Sequence, residues 1–83
     1  MDRISYSKDA VKALRRMSRS DARRIQRKIA IYAEDPAAQR NNVKALVGSE
    51  YIRLRVGGWR VIMDDRGTVL LVLKIGARGG VYR

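Results

Sequence analysis

The chain contains no cysteine, no histidine and no phenylalanine, and these absences remove whole classes of chemistry. Without cysteine there is no disulfide, no thiolate nucleophile and no zinc-finger ligand set, and nothing argues for secretion. Without histidine the commonest general base near neutral pH is missing, and so is the commonest metal ligand. Serine–histidine triads, cysteine–histidine nucleophiles and histidine-based metallohydrolases are excluded by inventory. No metal and no cofactor are expected, so any catalysis runs on arginine, lysine, tyrosine, carboxylates or backbone groups. One Trp and four Tyr argue against a large base-stacking platform. The longest apolar run, Val69-Leu70-Leu71-Val72-Leu73, is far too short to span a bilayer. Met1-Asp2-Arg3 leads straight into folded-type sequence with no apolar signal segment. A cytoplasmic protein with no membrane partner is expected.

Positive charge is what the chain has in excess: 19 Lys and Arg against 8 Asp and Glu, a net charge of +11 over 83 residues. That length fits one small domain spanning residues 1–83, and 46% hydrophobic residues suffice for its core. A cation-rich domain of this size calls for a polyanion. Nucleic acid comes first, through phosphate neutralisation and counterion release.

Periodicity divides the chain into six elements. Residues 2–6 alternate like a short strand. Ser7 is placed to cap a helix over residues 8–17, with Ala10, Val11, Leu14 and Met17 at helical spacing and Lys12, Arg15 and Arg16 outside. Ser18-Arg19-Ser20 breaks it, and Ser20 is expected to cap a second helix, with Asp21 at the positive end of its dipole. Ala22, Ile25, Ile29, Tyr32 and Ala33 form that helix's apolar stripe, and Glu34-Asp35-Pro36 ends it. Residues 36–48 are polar and read as a connection. From Tyr51 to Val56 the period changes to two, Gly57-Gly58 supplies a hairpin turn, and Trp59 to Met63 climbs back. Asp64-Asp65-Arg66-Gly67 turns again into an apolar strand from Thr68 to Ile75, and Gly76 to Gly80 reads as a flexible loop. The expected fold is α+β, with the order β-α-α-β-β-β: a small, mainly antiparallel sheet carrying a helical hairpin on one face.

Alternation puts Arg53 and Arg55 on one side of their strand, opposite Ile52, Leu54 and Val56. Across the Gly57-Gly58 turn, Val56 is expected to face Trp59, Arg55 to face Arg60, and Arg53 to face Ile62. Opposed like charges cost stability unless an anion sits between them, and clustered guanidiniums suit phosphate. Solubilising the outer face of a half-buried sheet is an equally ordinary use of such arginines. Gly76, Gly79 and Gly80 around Arg78 permit close backbone approach to a ligand, or serve simple turn chemistry.

Two stretches carry a family resemblance. Tyr51-Ile52-Arg53-Leu54-Arg55-Val56-Gly57-Gly58-Trp59-Arg60-Val61-Ile62 resembles the "yRlRvGdyRviy" core of the RelE/ParE superfamily of bacterial type II toxin–antitoxin systems. Val72-Leu73-Lys74-Ile75-Gly76-Ala77-Arg78, followed by Val81-Tyr82-Arg83, is similar to its "vlxvGxR…vY" ending. The resemblance follows the element order of the whole chain and is most specific over residues 46–82. It implies a ribosome-dependent mRNA endonuclease of the RelE kind, in which the 2′-hydroxyl attacks the adjacent phosphodiester without a metal. On that resemblance Arg60 matches the arginine that stabilises the phosphorane, and Arg78 the second arginine. Tyr82 matches the tyrosine that stacks on or acts near the scissile nucleotide, and Arg53 one of the basic residues before the hairpin. Arg55, Lys44, Lys74 and Arg40 are expected to contact RNA.

The chemistry suits these residue types. A phosphorane gains negative charge, which preorganised arginines bind better than the ground state. Arginine is a poor proton carrier, whereas a tyrosine amid cations can serve as one. The chain departs from the pattern at Tyr51 and Arg53, where the best-known RelE nuclease has lysines, and at Val47, where relatives often carry a basic residue. The resemblance also implies a small acidic antitoxin, with ribosome and mRNA as the other partners and a toxin that is monomeric on its own. A ParE-type inhibitor of DNA gyrase, which shares the "RvgdyRv" strand, and a non-catalytic basic RNA-binding module are the alternatives.

Overall fold

In a computed structural model of the chain, residues 3–77 are described. Strand β1 (Arg3–Tyr6) leads into helix α1 (Lys8–Arg16) and helix α2 (Arg19–Glu34). A 3-10 helix (Pro36–Asn42) follows, then strands β2 (Val43–Ala45), β3 (Ile52–Val56), β4 (Trp59–Asp65) and β5 (Val69–Ala77). The five strands form one mixed sheet in the order β1-β5-β4-β3-β2. β1 runs parallel to β5 and the other neighbours are antiparallel. This is the expected α+β layering, with an extra strand at one edge.

Capping sets where the helices begin. Ser7 Oγ accepts from the Ala10 amide at 3.0 Å and donates to the Leu73 carbonyl at 2.6 Å, so the cap of α1 also fastens it to β5. The start of α2 differs from expectation: Ser18, not Ser20, is the cap, its Oγ accepting from the Asp21 amide at 3.2 Å. Capping two residues earlier still leaves Asp21 in the first turn, where its charge complements the dipole. The segment read as a connection, residues 36–48, instead holds the 3-10 helix and β2. Pro36 fits the first helical turn, and β2 is too short for alternation to reveal it. Its pairing with β3 supplies the order: Val43 faces Leu54, Lys44 faces Arg53, and Ala45 faces Ile52. Gly76 and Ala77, expected in a loop, continue β5 opposite Arg60 and Trp59. Arg78, Gly79 and Gly80 lie outside the described residues.

The core fills the space between the helices and one sheet face. Ile25, Ile29, Tyr32 and Ala33 of α2 and Ala10 of α1 are buried with Leu54, Val56, Val61, Met63, Leu70, Val72 and Ile75. Each of the larger side chains contributes about 1.5–3 kcal/mol by leaving water. The β3–β4 turn has positive φ (60°) at Gly57 alone of its two glycines, the pattern of a type II′ hairpin. A Cβ at Gly57 would come within 3.0 Å of the Arg24 guanidinium, so α2 reaches over this turn. At the far end of α2, Tyr32 donates its hydroxyl to Asp65 Oδ2 at 2.9 Å. Burial, then that hydrogen bond and the carboxylate's charge, push the Tyr32 hydroxyl up to about 12.

Gly57→Ala lowers the unfolding free energy by about 1 kcal/mol in urea titrations, from the left-handed backbone it must adopt. Gly58→Ala, with open space around its Cβ, stays within about 0.5 kcal/mol of the parent. The folded state holds the Tyr32 proton more tightly than the unfolded chain does, so this stabilisation is complete below pH 10. It disappears as pH rises from 10 to about 12. Denaturant titrations across that interval show a smaller loss of stability for Tyr32→Phe than for the parent.

Candidate nucleic-acid interface on the open sheet face

Leu54, Val56, Val61 and Met63 point into the core, so the residues between them must occupy the opposite face. The observed register confirms the expected pairs: Val56 faces Trp59, Arg55 faces Arg60, and Arg53 faces Ile62. Extended across the sheet, two rows emerge. One runs Lys44, Arg53, Ile62, Lys74; the next runs Arg55, Arg60, Gly76. Neighbouring strands lie about 4.8 Å apart, so the first row places cations on three of four successive strands. Gly76 leaves the space beside Arg60 free of a side chain.

Lys44 and Lys74 therefore join the same face as Arg53, Arg55 and Arg60. In sequence nothing aimed the lysines there; the β2–β3 pairing brings Lys44 opposite Arg53, and β4–β5 pairing brings Lys74 opposite Ile62. A bulge assists the second placement. The register slips between Ile62 and Met63, leaving Leu73 as the extra residue on β5. Arg40 belongs to the last turn of the 3-10 helix and is exposed, so it does not share the strand rows. Arg78 and Tyr82 lie outside the described residues.

Ile62 is 6% exposed although it lies away from the helices. Its row and strand neighbours are Arg53, Lys74 and Arg60, whose side-chain types cover apolar surface with their methylenes while keeping their charges in water. Asp64, next along β4 on this face, is also buried, and its Oδ2 accepts from Arg66 Nε at 3.0 Å. That hydrogen bond and the Asp64 charge raise the Arg66 guanidinium above the ordinary arginine value, and the Glu50 charge adds a little attraction. The carboxylate that β4 places on this face is thus engaged with Arg66. Among the described residues, no group of three carboxylates is placed to hold a metal ion. No helix among them is long and apolar enough to cross a membrane.

A second cationic surface lies on the outer side of α2, where Arg19, Arg23, Arg24, Arg27 and Lys28 line a shallow depression with Ser20. Among the described residues, no aromatic or carboxylate side chain lines it. The strand face and this helix face approach one another at the Gly57 turn, through the Arg24 guanidinium.

A five-stranded mixed sheet with a helical hairpin on one face is a fold shared with solved RelE structures. The family model for the ParE toxin of type II toxin–antitoxin systems, parDE, matches residues 4–82. The chain belongs to this RelE/ParE toxin family. Among solved structures, a chain of the archaeal RelE–RelB complex from Pyrococcus horikoshii OT3 is 28% identical. That match covers 95% of this chain and 97% of the other, with a TM-score of 0.77. A chain of the intact Escherichia coli RelBE toxin–antitoxin complex is 21% identical over 93% of this chain and 96% of the other, at a TM-score of 0.72. The isolated E. coli RelE toxin is 18% identical, covering 99% of this chain and 92% of the other, at 0.70. The last two likenesses concern the fold alone. No curated protein matches the chain.

The direct opposition of Arg55 and Arg60 has a measurable cost. Replacing exposed Arg55 by Gln raises stability by about 0.2–1 kcal/mol in low-salt denaturant titrations. The gain shrinks toward zero at 1 M salt, where the Debye length falls to about 3 Å. Arg55→Lys, which keeps the charge, shows no such gain.

Proposed function

We propose that this toxin is a ribosome-dependent endoribonuclease that cuts mRNA in the A site by attack of a 2′-hydroxyl on the adjacent phosphodiester. The observation that supports it best is the concentration of Lys44, Arg53, Arg55, Arg60 and Lys74 on one sheet face whose carboxylate, Asp64, is bound to Arg66. In this reading Arg60 binds the equatorial oxygens of the phosphorane, where charge grows most. Its position between Arg55 and the side-chain-free Gly76 gives a phosphate access from the β5 side. Arg53 and Arg78 share the developing charge, and Tyr82 stacks on the scissile nucleotide or carries a proton. Lys44, Lys74, Arg55 and Arg40 hold the flanking phosphates. Arginine suits the first role because its fork meets two oxygens at once and it stays charged throughout the cycle.

The regulatory partner in this reading is a cognate acidic antitoxin, supported by the RelB–RelE complexes among the similar structures and by a charge of +11. The cations of α2 are its docking surface or a contact for ribosomal phosphate. A second reading rests on the matching family model, which is that of ParE: inhibition of DNA gyrase by the same fold. Fold alone does not choose between them, because function resides in the site.

Mapping message ends in translating ribosomes separates the two. Cuts within A-site codons are the expected result, and DNA damage without RNA cuts would overturn it in favour of gyrase. In the same assay Arg60→Ala lowers cleavage by at least ~10²-fold, the usual effect of removing one charge-stabilising donor, with an unchanged circular-dichroism spectrum. Arg60→Lys fails to restore full activity, because an ammonium cannot reproduce the two-point contact.

A further inference from the structure

The turn between β2 and β3 is built more firmly than a simple connection requires. The Ser49 amide donates to the Leu46 carbonyl at 3.2 Å, closing a turn in which Gly48 takes φ 80°. Ser49 Oγ donates to the same carbonyl at 3.2 Å and accepts from the Tyr51 amide at 3.1 Å. The Leu46 amide in turn donates to the Tyr51 carbonyl at 3.0 Å. Both backbone groups of Tyr51 are therefore hydrogen-bonded, while the residue as a whole is 41% exposed. A large aromatic held in place by its backbone and left in water is not serving the core.

Its neighbours say what it can meet. Tyr51 precedes β3 by one residue, and two-residue alternation carries it to the side of Arg53 and Arg55. Arg53 is two positions along, about 7 Å away at the backbone, and Lys44 stands beside Arg53 on β2. An exposed ring flanked by cations, beside two cationic rows, is the composition with which proteins grip unpaired nucleotides: the ring takes the base and the cations take the phosphates.

We propose that Tyr51, presented by the β2–β3 turn at the end of the arginine face, is a stacking subsite for an unpaired nucleobase of single-stranded RNA. The subsite rests on the RNA-cleaving reading for its substrate, but it acts in binding and not in the chemical step. The nucleotide stacked there lies beside the one being cut, with its phosphate toward Arg53 and Lys44. Because every base has a face to stack, the subsite adds affinity with little choice of sequence.

The test uses the purified toxin and a fluorescently labelled hexa-adenylate, followed by anisotropy. Tyr51→Ala weakens binding by roughly 5- to 100-fold, the range for losing one base–aromatic stack. Tyr51→Phe and Tyr51→Trp stay within about threefold of the parent. The slope of log affinity against log salt is unchanged in Tyr51→Ala but shallower in Lys44→Ala, which loses a phosphate contact. Equal binding by Tyr51→Ala and the parent overturns the proposal. So does an equal loss in Tyr51→Ala and Tyr51→Phe, which assigns the effect to the hydroxyl. A Tyr51→Ala variant that loses only antitoxin binding also overturns it, making the turn a protein-docking surface. If the parent binds hexa-adenylate through Tyr51 but cuts no message, the subsite stands and the nuclease reading falls.

Discussion

Everything functional in this toxin depends on the two-residue alternation of β3 against β4. Every second residue of that pair is committed to the core: Leu54 and Val56 on one strand, Val61 and Met63 on the other. The arginines between them have one place to go. A slip of one residue would turn Arg53 and Arg55 into an apolar interior against Ile25 and Ile29, and burying such charges unpaired costs several kcal/mol. The arginines therefore help to pin the register that displays them.

The two cationic surfaces differ in kind. On α2, Arg19, Arg23 and Arg27 repeat every four residues, as do Arg24 and Lys28. Like charges at that spacing weaken a helix slightly, which the burial of Ile25, Ile29, Tyr32 and Ala33 offsets. These are long side chains along the outer side of one helix, suited to attraction of a charged partner. On the sheet the cations stand in rows set by strand pairing, with Ile62 buried among them. Rigid elements position side chains better than mobile ones, so the sheet face is the more sharply defined of the two surfaces.

Much of this was legible from the residues, and for a local reason. The hairpin pairs followed from a Gly-Gly turn and strict alternation, because a short turn fixes register with few alternatives. Ser7 could be read as a cap because it sits directly before a helical stripe. The misses are equally physical. β2 escaped because Val43-Lys44-Ala45 has no pattern of its own and owes its strand to the partner it meets. With β2 missing, Lys44 had no reason to lie beside Arg53, and the full breadth of the cationic row stayed hidden. Tyr51 read as the first residue of a strand, whereas its importance comes from the Ser49 hydrogen bonds that precede it. Ser18 against Ser20 is a choice between two good caps two residues apart, which local sequence leaves open. The ParE-versus-RelE distinction is a matter of target, and a shared strand motif does not carry it.

The parallel pairing of β1 with β5 has a consequence for how the protein comes into being. β5 lies between β1 and β4, and Ser7 reaches it across 66 residues of chain. A nascent chain that has not yet released β5 has no partner for its first strand, no acceptor for the α1 cap, and no Lys74 beside Ile62. Contacts of such long range form late. The cationic sheet face, with Lys74 beside Ile62, is thus assembled only after β5 has been made.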